Sequence, residues 1–223
     1  MDVTQPSEAT HYKLLIEVQT MVIDSLKLNA NVADSEFDKI YPYSVRQKSK
    51  VHWTPVKVAE AAASLLVDRP GIKVLDIGSG AGKFCLVGAV VTNGIFTGIE
   101  QRKYLVDVSN SLFNNYGLSN AQAIHANILS VDFKQYDAFY FYNPFMENLC
   151  IHQRIDDTVR LSVDHYKRYL RYIHHQLTEL PLGTKVVTYC SNGMKIPLSY
   201  RKERTYMDGS LDLWIKNSPH DNH

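Results

Sequence analysis

Apolar and polar positions fall in blocks along this chain, and the period changes from block to block. Residues 8–28 carry Leu14, Ile16, Val18, Val22, Ile23 and Leu26 at loosely helical spacing, which predicts an N-terminal helix. Residues 29–53 mix Asn, Asp, Tyr and Lys with Pro42 and show no period, so they read as a loop or lid. Thr54-Pro55 offers a helix N-cap and a first-turn proline. The helix this predicts runs to about Val67, with Val58, Ala62, Leu65 and Leu66 on one face. Ile72, Val74, Leu75 and Ile77 make a short buried strand, and Lys83 to Val91 is a helical run. Ile95 to Ile99 is a second strand. Leu105, Val108, Leu112 and Tyr116 then lie at helical spacing, with Gly117 as C-cap. Ala121 to Ile124 and the aromatic run Ala138 to Tyr142 are the third and fourth strands. Tyr166, Leu170, Ile173 and Leu177 predict a helix ending near Gly183, and Lys185 to Cys190 is a β-branched strand. Two β-like runs within Arg204 to Lys216 meet at Asp208-Gly209, a hairpin signal.

Strands alternating with helices imply an α/β architecture, a doubly wound and mostly parallel sheet with an antiparallel hairpin at its C-terminal end. The expected division is 1–53, an N-terminal helix and lid or cap segment, and 54–223, the nucleotide-binding domain. A length of 223 residues suits one such domain with a helical extension. Lys and Arg total 24 against 23 Asp and Glu, so net charge points to no polyanionic partner. Cys85, Cys150 and Cys190 form no paired spacing, so neither zinc nor disulfides are expected; Cys85 and Cys190 read as buried small hydrophobes. Met1 to Thr10 is polar and acidic, unlike a signal peptide, and no apolar run approaches the roughly 18 residues of a membrane span. The expected setting is cytoplasmic, with no membrane and no metal.

The chemistry starts at Val74-Leu75-Asp76-Ile77-Gly78-Ser79-Gly80-Ala81-Gly82, where a strand runs into three alternate glycines and then a helix. Glycines allow a tight turn, and free N–H groups at the helix start favour a polar or anionic ligand. A phosphate-cradling loop ending at Gly82-Lys83 would need Gly at 77 and Ser or Thr at 84; the chain has Ile77 and Phe84. A dinucleotide fingerprint would need Gly at 83, where the chain has Lys83. What remains is acid-x-Gly-x-Gly-x-Gly, which resembles the first motif of the Rossmann-like, seven-stranded class of S-adenosylmethionine-dependent methyltransferases. The resemblance implies S-adenosylmethionine as cofactor, held by Asp76, Gly78, Ser79, Gly80 and Gly82. Glu100 follows Gly78 by 22 residues, near the spacing at which an acid meets ribose hydroxyls, with Gln101 beside it. Asn127 follows the third strand, where the family usually has an acid contacting adenine; its amide carbonyl can accept the same bond.

The fourth strand ends in Tyr142-Asn143-Pro144-Phe145. Asn-Pro at that place resembles the Asn-Pro-Pro-Tyr motif of methyltransferases acting on planar amines, but Phe145 replaces the second Pro and Met146 the aromatic. The stretch 54–192 is also similar to the non-SET histone lysine methyltransferases and their bacterial relatives, through Asp76 to Gly82, Gly98-Ile99-Glu100 and Asn143-Pro144-Phe145. These resemblances imply methyl transfer by in-line displacement to an amine-type acceptor, a protein lysine among the candidates. Asn143 would also touch the cofactor. Asn143 and the Pro144 carbonyl would place the acceptor, with Phe145 and Tyr142 as walls and Tyr41, Tyr43 and Trp53 as lid residues. Small-molecule and nucleic-acid acceptors, a non-catalytic cofactor-binding module, and an aminopropyltransferase-like enzyme are the alternatives. The basic stretches Arg160 to His175 and Lys195 to Arg204 are read first as solvated faces.

Overall fold

The computed structural model describes residues 21–28, 30–191 and 195–219. The part of the expected N-terminal helix over 8–20 lies outside the described residues; 21–27 is helical, and Val22, Ile23 and Leu26 are buried.

Seven strands form one sheet: β1 (Lys73–Ile77), β2 (Ile95–Glu100), β3 (Ala121–His125), β4 (Ala138–Tyr142), β5 (Lys185–Tyr189), β6 (Tyr200–Tyr206) and β7 (Leu211–Lys216). Their order is β3-β2-β1-β4-β5-β7-β6. The first five are parallel, and β7 runs antiparallel to both β5 and β6. The strand order reverses between β1 and β4, so the chain leaves these neighbours in opposite directions and opens a crevice at their carboxyl ends.

Four main helices cover the sheet: α1 (Val56–Leu66), α2 (Lys83–Val91), α3 (Lys103–Asn115) and α4 (Val163–Thr178). Side chains alternate across a strand, and the β1–β4 register pairs Val74 with Ala138, Leu75 with Phe139 and Asp76 with Tyr140. Val74 and Tyr140 therefore join the core under α1, α2 and α3, whereas Leu75, Ile77, Phe139 and Phe141 pack under α4 through Tyr169, Ile173 and Leu177. Both faces are covered, which is why the central strands read as near-continuous apolar runs.

The segment read as a loop is four helical turns, Asp34–Phe37, Asp38–Ile40, Tyr43–Arg46 and Ser49–His52. Each is too short to show a hydrophobic period, yet Phe37, Ile40, Val45 and Trp53 are buried in the same core as α1 and α2. Nor does Thr54 cap α1. The first free N–H of that helix, on Val56, donates to Asp34 Oδ1 at 2.9 Å, and Thr54 Oγ1 instead meets the buried Tyr140 hydroxyl at 3.1 Å. Cys85 is buried as expected, but Cys190 is half-buried, in a left-handed conformation just past β5. The hairpin starts earlier than its sequence signal, at Tyr200. Its outer strand exposes Arg201, Lys202, Glu203 and Arg204, charges that discourage pairing with a foreign strand. Among the described residues, no helix is long and apolar enough to cross a membrane.

Candidate cofactor and acceptor site

The glycine loop is tied to the end of β2: the Gly78 and Ser79 N–H groups both donate to the Ile99 carbonyl at 3.0 Å. Gly80 holds a left-handed φ of 53°, and a Cβ there would lie 2.2 Å from the Trp53 ring. The lid tryptophan thus rests flush on the loop, with its indole N–H donating to the Val45 carbonyl at 3.0 Å. Gly82 does other work. A Cβ there would fall 2.7 Å from Ser109 Oγ and 2.9 Å from Phe113, so this glycine lets α2 close on α3. Ser79 turns its hydroxyl toward Gly98, where it has no hydrogen-bond partner.

Asp76 is buried at the end of β1, beside a recess of about 10 Å³ shared with His52, Trp53, Ser79 and Tyr142. Its Oδ2 accepts a long bond from Cys85 Sγ at 3.6 Å. Burial, aided by the nearby Glu100 charge, pushes its pKa up to about 8 despite that bond. An ammonium group in this recess would favour the carboxylate.

Glu100 faces the main cleft, which has a volume of about 210 Å³. Its Oε2 accepts the Gly80 N–H at 3.1 Å and its Oε1 the Arg102 N–H at 2.9 Å, while burial raises its pKa. Gln101 lines the same cleft. Asn127 does not; its neighbours Ala126 and Ile128 do. The Asn127 carbonyl accepts the Leu129 N–H at 3.0 Å, and its amide donates to Gln101 Oε1 at 3.0 Å and the Tyr169 hydroxyl at 3.1 Å. It holds Gln101 in place from behind.

Across the cleft stand Tyr142, Asn143, Pro144 and Phe145. Asn143 and Phe145 have φ of 38° and 77°, left-handed values that cost a non-glycine residue roughly 1–3 kcal/mol each unless the surroundings fix them. They are fixed here. The Asn143 N–H donates to Ser191 Oγ at 3.2 Å, and the Phe145 carbonyl accepts both the backbone N–H and the side-chain amide of Asn148. The Phe145 ring packs 4.7 Å from Tyr169, and a Cβ on Gly78 would lie 3.2 Å from Pro144 Cβ. The turn after β4 therefore leans directly on the glycine loop.

Of the three expected lid aromatics, only Trp53 reaches this cleft. Tyr41 is buried 6.1 Å from Phe37, and Tyr43 is exposed; both face a separate groove beside α3. Sequence reading missed His52, which lines both cleft and recess and whose pKa is lowered by burial. It also missed buried Arg102 with its partners Glu147 and Asp156, and buried Lys83, which bonds Asp34 and Asp38. A charged residue at a helix start was the only local sign of either cation. Lys167, Arg168 and Arg171 are exposed on α4 and do not line the cleft. Among the described residues, no three His, Cys, Asp or Glu side chains are grouped to hold a metal ion.

A model of the protein-L-isoaspartate (D-aspartate) O-methyltransferase family matches residues 33–143, a span from just before Asp34 through the glycine loop and Glu100 to Asn143. The fold is that of a class I S-adenosylmethionine-dependent methyltransferase. Its cofactor is S-adenosylmethionine. Among solved structures with this methyltransferase fold, MtNAS in complex with S-adenosylmethionine superposes with a TM-score of 0.53 at 12% identity, over 95% of this chain and 76% of that one. TrmN from Thermus thermophilus gives 0.52 at 16% identity, over 77% of this chain and 51% of that one. The chain spans about half the length of the first solved structures it matches. No curated protein sequence matches it.

Proposed function

We propose that this chain transfers the methyl group of S-adenosylmethionine to an amine-type acceptor, a lysine side chain being the reading closest to its motifs. The observation that carries it is the contact of Pro144 with the glycine loop, which sets the acceptor turn against the donor loop. In-line displacement needs little more than this alignment. Asp76 would take the donor's ammonium, Glu100 its ribose hydroxyls, and Gly80 its close passage along the backbone. Asn127 would act on the adenine side through Gln101. The Asn143 side chain and Pro144 carbonyl would orient the amine, and Tyr142 and Phe145 would face the cation as positive charge leaves sulfur. A lysine ammonium must first lose a proton, and apolar walls lower its pKa. A protein or small-molecule acceptor is favoured over nucleic acid, because the exposed basic residues of α4 and β6 lie off the cleft.

Transfer to a carboxyl oxygen is the second reading, favoured by the matched family's name. Titration calorimetry with S-adenosylmethionine comes first, and absence of binding refutes both readings. Labelled donor is then offered to a lysine peptide, an isoaspartyl peptide and a simple alkylamine. Base-stable label supports the amine, and base-labile label the ester.

A further inference from the structure

The segment after β4 hangs on one buried guanidinium. Arg102 stands two residues past Glu100 and is 5% exposed. Its Nη2 donates to Glu147 Oε1 and its Nε to Asp156 Oδ1, both at 2.9 Å. Glu147 also accepts the Ile155 N–H, and Asp156 accepts the Thr158 N–H at 3.0 Å and its hydroxyl at 2.7 Å. These bonds fold residues 146–161 into the far wall of the cleft, to which they give Met146, Ile155, Val159 and Leu161. On its other side, Arg102 Nη1 lies 3.8 Å from Glu100 Oε1, the oxygen that also takes the Arg102 backbone N–H.

We propose that Arg102 is a positioning residue through which donor occupancy at Glu100 sets the order of the acceptor wall. The proposal rests on the reading of Glu100 as the ribose partner. An empty, dry site favours the uncharged form of this buried carboxyl, whereas two hydroxyl donors favour its charged form. The charged form holds the guanidinium more firmly, and the guanidinium holds Glu147 and Asp156. The donor therefore binds first, the wall tightens around it, and the acceptor enters a completed cleft.

Hydrogen exchange with mass spectrometry on the full chain, with and without S-adenosylhomocysteine, tests this. Every sample is brought to saturation, as measured by calorimetry. In the unaltered protein, exchange across residues 147–161 should slow by about tenfold or more on binding. In Arg102→Lys, which keeps the charge but loses the forked geometry, the slowing should fall below about twofold. Asp156→Asn removes one charge of the wall alone and should give an intermediate value, which keeps the test available if the arginine variant fails to fold. A wall that slows equally in all three proteins, or that ignores S-adenosylhomocysteine although it binds, overturns the proposal. Failure of the unaltered protein to bind it overturns the donor reading as well.

Discussion

Lys83 opens α2, one residue past the glycine loop, and its side chain is 2% exposed. Its ammonium meets Asp34 Oδ1 at 2.6 Å and Asp38 Oδ1 at 2.8 Å, with the Phe37 ring 5.0 Å away. Lys83→Met keeps most of the apolar stem but leaves the buried Asp38 without its cation. Removing one partner of a buried pair costs about 3–5 kcal/mol, because the remaining charge is stranded away from water. Asp34 is a milder case, since its side chain is 48% exposed. Solvent screening reduces its ion-pair share to about 0–1 kcal/mol. Its bond to the Val56 N–H adds roughly 1 kcal/mol as a helix cap. Asp34→Ala should therefore cost about 1–2 kcal/mol and Lys83→Met about 3–5. At roughly 2–4 °C per kcal/mol for a chain of this size, Lys83→Met should melt about 6–20 °C lower. Urea unfolding followed by circular dichroism measures both changes. Adding Asp38→Asn to Lys83→Met should restore part of the loss, because no stranded charge remains. The reasoning fails if Lys83→Met loses less than about 1 kcal/mol, or if Asp34→Ala costs as much as Lys83→Met.

Gly80→Ala must hold a left-handed alanine, at about 1–2 kcal/mol, and push the Trp53 ring aside. Affinity for S-adenosylhomocysteine should drop by at least about tenfold in calorimetry, and an unchanged value would falsify the close backbone approach. Asp76, with a pKa near 8 against 3.8 for an ordinary aspartate, keeps a proton on folding that the unfolded chain has already lost. Its contribution to stability is thus complete at acid pH and lost as pH rises through about 8. A ligand ammonium reverses that preference. Binding of S-adenosylhomocysteine near pH 7 should release up to about one proton, seen as a buffer-dependent heat that Asp76→Asn abolishes. A heat independent of the buffer refutes this reading of the acid. Thr54→Val deprives the buried Tyr140 hydroxyl of its 3.1 Å partner and should cost about 1–3 kcal/mol in urea unfolding. A neutral result would mean that the bond is replaced locally.

What could be read from the sequence was local. Lys83 to Val91 and Ala138 to Tyr142 have the boundaries their patterns predict, because a glycine loop or a change of period marks each end. Asp76, Glu100 and Asn143 were readable for the same reason: strand ends in a doubly wound sheet face the crevice, and these residues stand at strand ends. The turns over 34–52 were not, since four-residue helices carry no repeat. Arg102 could not be matched to its partners, which lie 45 and 54 residues further on. Thr54-Pro55 is sound capping grammar that tertiary contacts overrode: Asp34 reached the helix start first, and a buried tyrosine claimed the threonine. Asn127 kept the position the family motif gives it, but its carbonyl is engaged by the Leu129 N–H.

The bent backbone at Asn143 and Phe145 sets two aims against each other. Glycine at either position would relax the chain, so breeding this protein for heat resistance alone would reward such changes early. Each would also loosen the turn that presses Pro144 against the glycine loop. A variant collected for its melting point should therefore be sequenced at 143 and 145 before it is trusted as a catalyst, since its hardiness there would come from surrendering the shape on which alignment depends.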